Sequence, residues 1–211
     1  MNDRVIGKQA ILDAAIALFA ERGVDAVSLS EINRASGHRN RSAATYHFGG
    51  KDELVLAVAK QATAAPDLHR VELLNQLEAE VAAPSVRQIL EVALAPMAES
   101  LESAEGRYRL RLLGNLATNE RYLSSTQQLM WGTEGLGRCV VHLAAHLAWL
   151  PDALIVERFV LLTGTAVRAY SDQARLLDAE TPVRAPLDHE TFSRHVLDLL
   201  TAMCTAPLSA D

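Results

Sequence analysis

The chain lacks the features that mark secreted and membrane proteins. It has only two cysteines in 211 residues, Cys139 and Cys204, which is too few for a disulfide framework and agrees with a reducing compartment. The longest stretch without Asp, Glu, Lys or Arg covers 13 residues, 139–151, whereas a membrane-spanning helix needs about 20 apolar residues. The N-terminus has acidic residues at helical spacing, unlike a signal peptide. We therefore expect a cytoplasmic protein with no membrane partner.

The common catalytic motifs are also missing. The sequence contains no GxSxG, HExxH, P-loop or GxGxxG pattern, and its seven histidines are scattered without a partner pattern. We therefore expect that the protein is not an enzyme and that it binds no cofactor. A small helical hydrolase or transferase remains the alternative from the enzyme class.

Positive charge is concentrated near the N-terminus of an otherwise acidic chain. The net charge is −6, but no acidic residue occurs between Glu31 and Asp52. The same stretch contains four cations and two histidines, namely Arg34, Arg39, Arg41, Lys51, His38 and His47. Such a patch suits a phosphate-facing surface, although a basic loop without any function would look the same.

Helical periodicity covers the whole chain, and no alternating strand pattern of useful length is present. Apolar residues from Ile6 to Phe19 recur every three or four positions and predict a first helix that ends at Gly23. Ser28 and Glu31 have the spacing of a capping box for a second helix, whose buried stripe is predicted to be Leu29, Ile32 and Ala35. A short third helix follows around 41–47, with Asn40 or Ser42 as its cap, and a fourth begins at Lys51.

Longer helical patterns fill the remaining chain. Prolines punctuate them at positions 66, 84, 151 and 186, and the predicted helices lie near 68–82, 85–103, 106–117, 120–149, 152–178 and 188–206. The fold class is therefore all-α. A helix, a short loop, a second helix, a turn and a short third helix form a helix-turn-helix layout at the N-terminus.

Three strings in this N-terminal segment resemble the TetR/AcrR family of bacterial transcriptional regulators. They are ILDAAIALFAERG at 11–23, VSLSEINRASG at 27–37 and YHFGGKDEL at 46–54. The turn before YHF is about two residues longer than the compact loop of the family, and Thr45 stands where an aromatic is usual. The resemblance implies a helix-turn-helix DNA-binding domain at 1–50 and a helical effector-binding and dimerisation domain at 51–211.

The resemblance also implies which side chains contact DNA. Matched back from Lys51, the residues that face the groove or the phosphates are Ser28, Arg39, Asn40, Arg41, Ser42, Thr45, Tyr46, His47 and Lys51. Arginine commonly reads guanine and asparagine reads adenine. Tyr46 and Phe48 could both be core aromatics. We expect burial for Phe48 but exposure for Tyr46, which has no partner larger than Ala43 three or four residues before it. His47 could instead be a capping histidine.

The resemblance assigns two further roles to the larger domain. The helices near 152–178 and 188–206 would pair with those of a second copy, and residues 154–170 are apolar nearly all round. A central helix of a monomer would show the same pattern. The implied function is a homodimeric repressor that a small-molecule effector releases from double-stranded operator DNA. An all-helical interaction protein without DNA binding is the third alternative.

The effector site itself is not readable from the sequence. Residues at helical spacing could line a pocket or form plain core, and they are Met97, Leu101, Leu113, Leu116, Met130, Trp131 and Val141. Cys139, His142 and His146 share one helix face and could bind zinc or copper. The absence of a fourth ligand or a CxxC spacing favours an ordinary partly buried helix, so we expect no metal site.

Overall fold

The computed structural model describes residues 2–38 and 42–208, with side chains from Gly7 onward. These residues form ten α-helices and no β-strand, which confirms the all-α prediction. The helices are α1 Asn2–Arg22, α2 Leu29–Ala35, α3 Ala43–Phe48, α4 Lys51–Glu80, α5 Val86–Ser100, α6 Ala104–Ala117, α7 Leu123–Trp131, α8 Glu134–His146, α9 Asp152–Asp178 and α10 His189–Thr205.

Two apolar clusters form the interior. The first joins α1, α2, α3 and the beginning of α4, with fully buried Ile11, Phe19, Ile32 and Leu54. Leu112 and Leu116 of α6 belong to the same cluster, so the N-terminal helices pack directly against α6. The second cluster joins the later part of α4 to α5, α8, α9 and α10. The boundary at residue 50 stays a prediction, because α4 contributes to both clusters.

One helix is longer than the sequence predicted. Pro66 was expected to separate two helices, but α4 runs through it without interruption for 30 residues. Proline removes a single N–H and the hydrogen bond that it would donate to the carbonyl one turn earlier. Helix α4 is supported by α5 and α8, and this packing outweighs the local cost.

Another helix is divided. The single helix predicted at 120–149 is wrong, because α7 ends at Trp131 and α8 begins at Glu134. Thr133 between them is extended, with φ −75° and ψ 155°, and its hydroxyl donates to the Asp67 carboxylate at 2.7 Å. This tertiary contact stabilises a break that helical periodicity alone does not show.

Candidate nucleic-acid interface

The start of α2 is fixed by the capping box that the sequence predicts. The Ser28 hydroxyl oxygen accepts from the Glu31 amide at 3.2 Å, and the Glu31 carboxylate accepts from the Ser28 amide at 2.8 Å. The pKa of Glu31 is lowered to about 2 by the backbone and side-chain hydrogen bonds from Ser28 and by the hydrogen bond from Arg22. Arg22 Nη1 lies 3.0 Å from Glu31, which joins the end of α1 to α2.

The angle between α2 and α3 depends on a residue that the sequence reasoning missed. Asn33 is 1% exposed, and its side-chain oxygen accepts a hydrogen bond from the Ala44 amide at 2.8 Å. The predicted stripe was wrong at Ala35, which is exposed. Asn33 follows the buried Ile32 directly, so its position beside the apolar stripe was the available signal.

Helix α3 has one buried face and one outward face. Ala43 and Ala44 are buried, whereas Thr45 is exposed and Tyr46 is 67% exposed, which confirms the expected exposure of Tyr46. Phe48 is half-buried against the N-terminal cluster. The outward face is therefore available to a groove while the alanines hold the helix in place.

The remaining predicted residues surround this face in different ways. Ser42 occupies the N-cap position of α3 without a side-chain cap, Lys51 opens α4, and His47 is half-buried with its ring 5.3 Å from that of Tyr46. Three further predicted residues, Arg39, Asn40 and Arg41, lie outside the described residues.

The acidic residue beside Lys51 is turned towards the rest of the protein. Asp52 accepts from the Tyr122 hydroxyl and from Arg121 Nη2, both at 2.6 Å. The hydrogen bond from Tyr122 is the main reason that the pKa of Asp52 is lowered, and burial raises the pKa of Tyr122 to about 12. These contacts attach the start of α4 to the segment between α6 and α7.

Comparison with known proteins shows which protein family this domain is similar to. Residues 11–58 match the family model described as bacterial regulatory proteins, tetR family. The N-terminal domain is therefore similar to the DNA-binding domain of the TetR family. The family and the fold support a DNA-binding transcriptional regulator with a helix-turn-helix, and TetR-family proteins are usually not enzymes.

The fold of the whole chain is also that of TetR-family structures. A structure described as a TetR-family transcriptional regulator from Rhodococcus sp. is 16% identical, with a TM-score of 0.58, and the match covers 97% of this chain and 100% of that one. RolR in complex with resorcinol is 18% identical, with a TM-score of 0.51 and coverage of 99% and 98%. The TM-scores show a shared fold, and at identities this low they show nothing beyond it. No curated protein sequence is significantly similar to this chain.

A buried cavity lies in the second cluster of this TetR-family fold. It has a volume of about 70 Å³ and lies between α4, α5 and the helices from α7 to α10. A second space of about 40 Å³ adjoins it and reaches α6. Of the sequence candidates, Met97, Leu113 and Met130 line these spaces. Val141 does not, because it is 69% exposed.

The possible metal ligands on α8 have separate environments. Cys139 is fully buried on the cavity wall, and burial raises its pKa to about 11. His142 Nε2 lies 2.8 Å from Glu78, and His146 Nε2 lies 2.8 Å from the Pro84 carbonyl. In the described part of the chain, no group of three or more His, Cys, Asp or Glu side chains is placed to hold a metal. None of the described helices is both long and apolar enough to cross a membrane.

Proposed function

We propose that the chain is a homodimeric repressor that binds operator DNA through α2 and α3 and is released by a small molecule. The observation that carries this proposal is the outward face of α3. We call α1 to α3 and the start of α4 the head. Ala43 and Ala44 are buried and hold α3 against the head, whereas Thr45 and Tyr46 project outward from it. A recognition helix needs this combination of a rigid back and polar side chains in the major groove.

The DNA-contacting set that the sequence predicts fits this arrangement. Thr45 and His47 would read the groove, while Ser28, Ser42, Tyr46 and Lys51 would bind phosphates. Arg39, Asn40 and Arg41 precede α3 and belong to the same proposed set. Asp52 is hydrogen-bonded to Tyr122 and Arg121 in the segment between α6 and α7, so its negative charge is partly compensated beside Lys51.

An apolar stripe on α9 and α10 supports the homodimer. Leu154, Leu161 and Gly164 lie on one exposed face of α9, opposite the face that packs on the second cluster, and Leu199 is exposed on α10. A Cβ added to Gly164 would contact nothing within 4 Å, which leaves room for another helix. We propose that this stripe, together with Ala202, which is exposed on α10 three residues after Leu199, forms the interface with a second copy, consistent with closed two-fold symmetry.

Helix α6 offers a route by which an effector could alter the head. Leu110 and Leu113 of α6 line the outer part of the cavity. Asn115, farther along the same helix, donates to the carbonyls of Phe19 and Ala20 at the end of α1, at 2.9 and 3.3 Å. Since α6 touches both sites, a ligand that displaces it would change the orientation of the head as well as that of α4. The coupling must be reciprocal, so operator DNA would weaken effector binding by the same factor.

The test is binding to the DNA immediately upstream of the protein's own coding region, measured by fluorescence anisotropy at several salt concentrations. We expect tight, sequence-selective binding that weakens steeply with salt. Lys51→Ala should weaken binding to all sequences and reduce the salt slope by about one. Lys60→Ala is the matched control, because Lys60 is exposed on the same helix but lies about 13 Å further along it.

The outcomes separate the alternatives. Equal effects of the two lysine variants would contradict the proposed phosphate contact. If Tyr46→Ala has the same affinity as the wild type for both specific and random DNA, the recognition surface lies elsewhere. Absence of binding to this DNA and to a library of random duplexes would favour an interaction protein that has kept the fold.

A further inference from the structure

We infer that the effector is a small, mainly apolar compound with one carboxylate or similar anionic group, and that Arg70 binds this group inside the cavity. This inference rests on the proposed function, since it names the class of ligand for the proposed effector site. It is carried by the position of a buried arginine in an otherwise apolar chamber.

The chamber has two lobes. The inner lobe, of about 70 Å³, is enclosed mainly by aliphatic side chains together with Phe159 and Cys139. The outer lobe, of about 40 Å³, adjoins it and shares the lining residues Arg70, Met97, Met130 and Leu136. One water-sized group needs about 10–15 Å³ of such space. The inner lobe therefore has room for about five to seven non-hydrogen atoms, which is the size of one ring.

The charges on the walls are of one sign. Arg70 lines both lobes and Arg109 lines the outer lobe, and neither lobe has a carboxylate among its lining residues. Arg109 also lines a surface opening that adjoins the outer lobe, between α4, α5 and α6. Glu99 lines this opening too, and Arg109 is ion-paired with Glu105 at 3.2 Å, so the preference for an anion depends on Arg70 at the junction of the lobes.

Arg70 has hydrogen-bonding capacity left for a ligand. It is buried, its Nε donates to the Ala93 carbonyl at 3.0 Å, and its Nη1 donates to Asp67 at 2.9 Å. Among the described residues no acceptor is hydrogen-bonded to its Nη2. Since Arg70 lines both lobes, we infer that Nη2 can donate to an anionic oxygen of a ligand there.

The ion pair with Asp67 does not fully compensate the positive charge of Arg70. Its carboxylate also accepts from the amides of Gly135 and Leu136, at 2.9 and 3.0 Å, and from the Thr133 hydroxyl at 2.7 Å. Although burial raises the pKa of Asp67, these hydrogen bonds outweigh burial and leave it lowered. The first amides of α8 and their helix dipole therefore share the negative charge, so an anion beside Arg70 is still favoured.

The experiment uses calorimetry to compare the binding of three probes of similar size to the wild-type full chain. Benzoate, benzamide and benzylamine each combine one ring with an anionic, a neutral or a cationic end. We expect benzoate to bind about tenfold or more tightly than either of the others, because a charge-assisted hydrogen bond would be formed only with it. Equal affinities, or no binding of benzoate at millimolar concentration, would overturn the inference.

A variant assigns the binding to Arg70. Arg70→Lys keeps the charge but loses the planar group that can serve Asp67, Ala93 and a ligand together, and we expect benzoate binding to fall about tenfold or more. Arg138→Lys is the matched control, because Arg138 is also ion-paired, to Glu78, but does not line the cavity. Unchanged benzoate binding by folded Arg70→Lys would overturn the assignment, and the three-probe comparison stands even if this variant does not fold.

A separate measurement distinguishes failure of this inference from failure of the proposed function. DNA binding is measured by anisotropy with and without saturating benzoate. Selective benzoate binding that leaves DNA affinity unchanged would support the ligand class and contradict ligand-controlled release. If the protein binds DNA but has equal affinities for the three probes, the proposal of a DNA-binding regulator would stand and the proposal of an anionic effector would be overturned.

Discussion

At the scale of single residues, Asn33 determines how the two helices of the helix-turn-helix meet. Its side-chain oxygen accepts from the Ala44 amide in the first turn of α3, a position where that amide has no partner within its own helix. Both groups are buried, so water cannot readily replace a lost acceptor. The contact therefore contributes to the orientation of α3 as well as to stability.

We predict that Asn33→Ala lowers the free energy of unfolding by about 1–3 kcal/mol, the cost of leaving a buried donor unsatisfied. It should also weaken DNA binding, because α3 loses its link to α2. Urea unfolding and anisotropy measure the two effects. Asn75→Ala is the control, since the Asn75 side chain also accepts a hydrogen bond, from Arg138, but in an exposed position. A free-energy loss no larger than that of Asn75→Ala would contradict this role.

Local chemistry made some residues of the interface predictable and concealed others. The capping box at Ser28 and Glu31 was predictable because both partners lie three residues apart in one turn. The exposure of Tyr46 followed from the lack of a large neighbour one turn before it. The role of Asn33 was not predicted because its partner, Ala44, is 11 residues away. The spacing of apolar residues gives no indication that a polar side chain is buried.

At the scale of helices, α8 begins where a residue of α4 caps it. Asp67 accepts from the amides of Gly135 and Leu136 in the first turn of α8. A Cβ added to Gly135 would lie 2.8 Å from the Asp67 carbonyl, so only glycine permits this close approach. The capping side chain comes from another helix, and α4 and α8 are therefore fixed relative to each other.

We predict that Asp67→Asn lowers the free energy of unfolding by about 3 kcal/mol near neutral pH, because Arg70 loses a buried charge partner. The folded-state pKa of Asp67 is lowered. The wild type therefore has the full contribution above the unfolded-state pKa, near 4, and loses it as the pH falls through the folded-state value. The difference between variant and wild type should shrink towards acid pH in urea titrations.

The control is Asp188→Asn. Asp188 caps α10 from an exposed position by accepting from the Thr191 amide at 2.9 Å, and asparagine caps a helix about as well as aspartate. We expect only a small change in unfolding free energy for this variant. Equal losses at the two positions would indicate that the ion pair with Arg70 adds nothing to the cap.

Helix boundaries were predictable where the signal was local. The limits of α9 and α10 agree with the sequence prediction because Pro151 precedes the first and Asp188 caps the second. The break between α7 and α8 depends on Asp67, more than 60 residues earlier. The continuity of α4 through Pro66 depends on neighbouring helices. Neither of these tertiary contacts changes the spacing of apolar residues in the sequence.

At the scale of the whole molecule, α6 connects the two apolar clusters. It packs against α1 on one side and α9 on the other, and Arg175 of α9 donates to Asn115 at 2.7 Å, while Asn115 donates to α1. The sequence predicted the head and the later helices separately, but it could not predict this connection because all its partners are distant in the chain. The proposed transmission from cavity to head depends on it.

The proposed dimer gives the final prediction, and two exposed residues of α9 allow a matched test. Leu161 is 53% exposed on the proposed interface, and Val156 is 54% exposed outside it, about 140° around the helix axis from Leu161. Leu161→Glu would place two charges against each other at a two-fold axis and bury them, so we expect monomers in sedimentation equilibrium and loss of operator binding. Val156→Glu adds the same charge at equal exposure and should leave the dimer intact. Since two heads on one operator depend on dimerisation, a monomeric Leu161→Glu that retains full operator affinity would contradict the dimeric repressor.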